Sequence, residues 1–202
     1  TGGLPRFTIM SLGEDHTKGT TAGANTPEAC VGSNDLALGR LVEAASRSRF
    51  WKEMAIFVIE DDAQNGPDHV DAHRTIGYVI SPWTRRQAVD STLYTTASMV
   101  RTIELILGLP PMTQYDAAAT PMNRCFQKSA VLTPYTARVP QVDLAAKNTP
   151  KTAFSRESGR MNFSVYDRAP EDELNRILWH TAKPGVPYPA PIHRVLFTQA
   201  VE

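Results

Sequence analysis

The chain has 202 residues, 42% hydrophobic and 21% charged, the proportions of a folded domain with a real core rather than a disordered tail. Its 21 basic and 21 acidic residues cancel, with no basic stripe of the kind that tracks nucleic acid and no long charge block. No apolar run reaches membrane-spanning length, and no segment has the layout of a signal peptide.

Taken in order, Arg6 to Leu12 reads as a short strand, followed by Gly13-Glu14-Asp15-His16-Thr17-Lys18-Gly19-Thr20, a strand terminus with carboxylates and an imidazole. Residues 20–32 are small, polar and rich in Gly and Thr, the texture of a loop. Ser33-Asn34-Asp35 predicts a helix cap, and Leu36, Leu38, Leu41, Val42 and Ala45 give a helical stripe ending near Ser46. The run Met54-Ala55-Ile56-Phe57-Val58-Ile59 is apolar without alternation, as in a parallel strand covered on both faces. It stops at Glu60-Asp61-Asp62, whose mutual repulsion calls for solvent, protonation or a cation. Asp68-His69-Val70-Asp71-Ala72-His73-Arg74 adds imidazoles and carboxylates before the chain leaves through Ile76-Gly77-Tyr78-Val79-Ile80.

Strand, helix and strand at this spacing predict a βαβ unit with a right-handed crossover. Its two carboxyl-end loops would share one edge of the sheet, bringing His16 to Asp61 and Asp62. Such oxygen and nitrogen donors suit a divalent metal, and equally a solvated acidic loop. Arg85 and Arg86 follow in a loop that reads as a solvated turn in preference to an anion site. Residues 93–107 predict a strong helix with Met99, Ile103, Ile106 and Leu107 on its buried stripe, stopped by Gly108 and Leu109-Pro110-Pro111. Residues 114–126 form short pieces, and 131–161 lack a sustained period. Pro170-Glu171-Asp172-Glu173 opens a last helix with Leu174, Ile177, Leu178 and Trp179, ended by Lys183-Pro184-Gly185. His180 and His193 read as surface or packing residues. Cys30 and Cys125 are either buried thiols or one disulfide.

These segments resemble, in order, the phosphoesterase branch of the alkaline phosphatase superfamily, most closely the bacterial proteins in which such a domain follows a YVTN-repeat propeller. The resemblance rests on Asp15-His16-Thr17, Asn34 to Arg40, Ile59 to Asp62, Asp68 to Thr75, Val79 to Pro82, and Ser98 to Glu104 with Gly108 to Pro111. It covers residues 4–126 and, more loosely, the helix around Leu174 to Trp179. It implies an α/β fold, an αβα sandwich with a mostly parallel sheet, here an incomplete domain over 1–126 with an irregular extension over 127–202. It implies hydrolysis of a phosphate ester at one or two divalent cations, zinc or manganese before iron or calcium. Asp61 and Asp62 match the adjacent ligand pair, and His16 and His73 the histidines of the other metal. Leu12 stands where an Asp is usual, so either Asp15 substitutes as a ligand or the second metal site is weak. His69 has no secure counterpart and is assigned to phosphate contact. The family's Ser or Thr nucleophile has no match, so the chain, which begins at Thr1 without Met, is expected to be the C-terminal part of a catalytic domain and inactive alone. It would pair with an N-terminal half or self-associate. A periplasmic or extracellular location is implied by the resemblance alone. The competing expectation is a non-catalytic metal- or partner-binding α/β module.

Overall fold

The computed structural model describes residues 3–14, 16–60, 75–150, 152–165 and 168–189. Among them the chain is mixed α/β, with five α-helices, two short 3-10 turns and one two-stranded sheet. The first helix, α1 (Pro27–Ser46), is started by a Thr-Pro pair. The Thr26 hydroxyl accepts from the Ala29 amide at 3.2 Å. Pro27 takes the first helical position, where a missing N–H costs nothing and the fixed φ is already helical. The helix therefore starts ahead of Ser33-Asn34-Asp35, the predicted cap, which lies inside it.

Strands β1 (Ile56–Ile59) and β2 (Gly77–Ile80) pair antiparallel, Ile56 opposite Ile80 and Ile59 opposite Gly77. Among the described residues this corrects the expected mostly parallel sheet. Consecutive strands pair in parallel only if the connection carries the chain back along the sheet. Here the register instead joins the end of β1 to the start of β2. Just outside the last pair, the Thr75 hydroxyl donates to the Glu60 carboxylate at 2.6 Å. Although β1 is apolar throughout, its side chains are half-buried and Ile59 is exposed. Residues 6–12 form no strand: Phe7, Ile9 and Met10 are exposed, and the Arg6 guanidinium donates to the Leu107 carbonyl at 3.1 Å. The predicted βαβ unit is thus absent among the described residues, because an apolar run forms a strand only where a neighbour completes its ladder.

The chain's contacts gather into two compact units built from interleaved stretches. The first takes residues 1–10, 40–59 and 76–136. Val42, Trp51, Pro82, Met99 and Met122 are among its buried apolar residues, with Trp51 edge-on to Tyr135 at 6.1 Å. Helix α2 (Thr96–Leu107) carries a capping box between Thr95 and Ser98, and ends at Gly108 with φ 70°, where the Leu109 amide donates back to the Glu104 carbonyl at 2.8 Å. A second box, Thr113 with Asp116, starts α3 (Gln114–Ala118). Arg86 is not a solvated turn residue. It donates to the Val131 and Thr133 carbonyls at 3.0 and 2.7 Å and lies over the Tyr135 ring, clamping the irregular 131–135 stretch.

The second unit takes residues 11–39, 60–75 and 137–202. Its described apolar core is Ala29 and Cys30 from α1, with Leu174 and the fully buried Ile177 from α5 (Glu171–Ala182). The short α4 (Ala153–Ser158) packs on α5, where Phe154 stacks on His180 at 5.4 Å, so His180 is a packing residue. A Cβ at Gly32 would come within 2.5 Å of the Val142 side chain, so α1 accepts this strip of chain only because position 32 is bare. Cys30 and Cys125 are both thiols.

Candidate functional site

Of the residues singled out from the sequence, His16 is described, whereas Asp15, Asp61, Asp62, His69, His73 and His193 lie outside the described residues. Among the described residues no three His, Cys, Asp or Glu side chains cluster closely enough to hold a metal. What is defined is the platform that carries His16. Its amide donates to the Gly13 carbonyl at 3.3 Å, closing a turn. Gly19 follows at φ 55°, and a Cβ there would stand 2.7 Å from the Ser158 hydroxyl. That hydroxyl takes up the Thr20 amide at 3.1 Å.

The loop is then zipped to a segment more than a hundred residues away. Gly23 donates to the Asn148 carbonyl at 3.0 Å, Asn148 to Ala24 at 2.9 Å, and Thr26 to Ala146 at 3.0 Å. The Asn148 side-chain amide donates to three loop carbonyls, Gly19 at 3.0 Å, Thr21 at 3.2 Å and Asn25 at 3.0 Å. This pairing presents Lys147 opposite Asn25. Sequence reasoning missed Lys147, Asn148 and Ser158. The turn-forming run Lys147-Asn148-Thr149-Pro150 was a local signal, but nothing local tells which carbonyls an asparagine will meet.

Beside His16 is an open cavity of about 320 Å³, lined among others by Glu14, Thr17, Lys18, Asn25 and Lys147. Asn25 links two of these residues: its Oδ1 accepts from the Lys147 ammonium at 2.5 Å, and its Nδ2 donates to Glu14 at 3.4 Å. The Thr17 hydroxyl is buried and has no hydrogen-bond partner among the described residues. An unmade bond of that kind costs about 1–3 kcal/mol.

Two other polar clusters are structural. In the first, the Asp90 carboxylate accepts from the Thr92 hydroxyl at 2.7 Å, the Thr92 amide at 3.0 Å and the Tyr94 hydroxyl at 2.9 Å. Its pKa is held below the usual carboxylate range, chiefly by Thr92. Burial, reinforced by Asp90, pushes the Cys125 thiol up, so Cys125 is a protonated thiol at neutral pH and a poor nucleophile. In the second, Glu104 and Asp116 are both buried at the α2–α3 junction and both accept from the Met112 amide, at 3.3 and 2.7 Å. The Thr113 hydroxyl is the largest influence holding the Asp116 carboxyl low, and Arg101 donates to Glu104 at 3.3 Å. Arg101, Met112 and Thr113 belong to α2 or to the turn that joins it to α3, so the pair locks the helix junction.

No family model, no curated protein and no solved structure matches this chain. Among the described residues no helix is long and apolar enough to cross a membrane.

Proposed function

We propose that this chain is the metal-binding part of a phosphoesterase, hydrolysing a phosphate ester with divalent cations held by Asp61, Asp62, His16 and His73, with Asp15 as a further ligand and His69 toward the phosphate. The observation that supports this best is the closure of the acidic loop at its base. Ile59 faces Gly77, and Thr75 bonds Glu60 at 2.6 Å, so both ends of the segment carrying four of these donors start from one point. A loop closed at its base loses less entropy when its side chains converge on an ion. The donor set, carboxylates with imidazoles, suits zinc or manganese. A bound cation would act as a Lewis acid on the phosphoryl oxygens. The chain's own part would be to fix the donors and, through His69, to orient the ester.

The nucleophile is not among these residues, so catalysis belongs to a domain completed by other polypeptide. In that complete domain αβα layering would be built around the β1–β2 pair, giving a mixed sheet. Self-association through the ribbon's outer edges is part of the same proposal, since β1 and β2 pair with no other strand among the described residues. A periplasmic or extracellular setting belongs to it as well.

Calorimetric titration with Zn²⁺ and Mn²⁺ tests the metal site. We expect saturable binding that weakens at least about tenfold in Asp61→Ala, since losing one ligand or its support costs that much. Absence of heat in the unmodified protein would overturn the proposal. Hydrolysis of p-nitrophenyl phosphate is expected from the complete protein and not from this chain alone.

A further inference from the structure

We infer that the cavity beside His16 is an oxyanion site, seating a phosphate- or carboxylate-sized group on the ammonium groups of Lys18 and Lys147 and the hydroxyl of Thr17. Donors dominate its wall. Lys18 and Lys147 can only donate, and Lys147 commits one ammonium hydrogen to Asn25, leaving two. The one described acid in the lining, Glu14, is engaged by the Asn25 amide. Among the described lining residues two lysines stand against one glutamate. Thr17, whose buried hydroxyl has no hydrogen-bond partner among the described residues, belongs to the same lining. Bonds to an anion are about twice as strong as neutral ones, so this is the ligand class that most relieves the unmet hydroxyl.

The site is also preorganised. Lys147 is held opposite Asn25 by the backbone pairing and by the three carbonyls that Asn148 gathers, so little order remains to be imposed on binding. The cavity of about 320 Å³ exceeds what one oxyanion fills, leaving room for the organic part of a ligand. Lys147 lies outside residues 4–126, which carry the resemblance. The anion site stands without any metal. One extension rests on the phosphoesterase reading: beside His16, this pocket would select esters whose leaving group bears its own negative charge.

The test is titration of the protein with inorganic phosphate, and separately with acetate, in the presence of EDTA, followed by calorimetry and by amide chemical shifts. Saturable binding is expected, with the largest shifts at Thr17, Lys18, Asn25 and Lys147. Lys147→Gln should weaken phosphate binding at least about tenfold, the loss of one bond to a charged group. Lys147→Arg should keep most of the affinity and Thr17→Val should lose part of it. These two milder variants decide the matter if Lys147→Gln fails to fold. Preference between phosphate and acetate identifies the oxyanion. No saturable binding, shifts elsewhere, or equal affinity in all variants would overturn the inference. Phosphate binding only after adding Zn²⁺ would overturn it while leaving the phosphoesterase reading intact. Binding in EDTA together with no heat from Zn²⁺ would support it and sink that reading.

Discussion

Asn148 offers the sharpest test of how the His16 platform is held. Its amide has two hydrogens and three carbonyl acceptors, at 3.0, 3.2 and 3.0 Å, so at least one hydrogen is shared. Counting two net bonds at about 0.5–1.5 kcal/mol each, Asn148→Ala should cost about 1–3 kcal/mol. Asn148→Asp keeps the shape but replaces the donor with an anion facing three carbonyl oxygens, and should cost more than the alanine variant. Urea unfolding followed by circular dichroism measures both. Amide exchange localises the effect. The amides of Gly23, Thr26 and Asn148, which cross between the two segments, should exchange faster, while that of Thr102 within α2 should not change. Phosphate affinity should fall in step, since Lys147 depends on the same pairing. If both variants stay within about 0.5 kcal/mol of the parent, as ordinary surface changes do, the staple is not what holds the loop. An aspartate variant more stable than the alanine one would refute the donor assignment.

Three further outcomes are expected. Asp116 has a depressed pKa in the folded state, so its contribution is fully present above the ordinary carboxyl pKa and is lost as pH falls below roughly 4. Asp116→Asn should be less stable at pH 7 and show a flatter acid limb in urea midpoints measured from neutral pH downward. Gly108→Ala should cost about 1–2 kcal/mol from backbone strain alone, since φ is 70° and nothing lies within 4 Å of the added Cβ. Urea unfolding reads this directly, and no loss would contradict the left-handed cap. Asp90→Asn removes the anion beside the Cys125 thiol at 3.9 Å, so iodoacetamide should modify Cys125 faster than in the parent at the same pH. An unchanged rate, followed by mass spectrometry of that peptide, would show that Asp90 does not influence the thiol.

What the sequence determined by itself was local. The helix α2 and its glycine stop, the acids opening α5, and the β-forming runs at 54–59 and 76–80 all follow from propensity, capping and apolar spacing, which act over a few residues, although α2 begins at Thr96 rather than at 93 and Ile106 of the expected buried stripe is exposed. The α1 start was also written locally, in Thr26-Pro27, a stronger signal than Ser33-Asn34-Asp35 because the proline fixes φ where the helix needs it. Pairing was not local. An unbroken apolar run at β1 is compatible with a parallel or an antiparallel neighbour, and its neighbour was fixed by the closing of the 60–76 connection. Nor could the fate of residues 6–12 be read from their own composition, since a strand exists only when another completes its hydrogen bonds. The cavity beside His16 depends on Lys147 and Asn148 meeting carbonyls more than a hundred residues earlier. Only the tertiary structure decides such contacts, because a hydrogen bond depends on distance in space and carries no trace of separation along the chain.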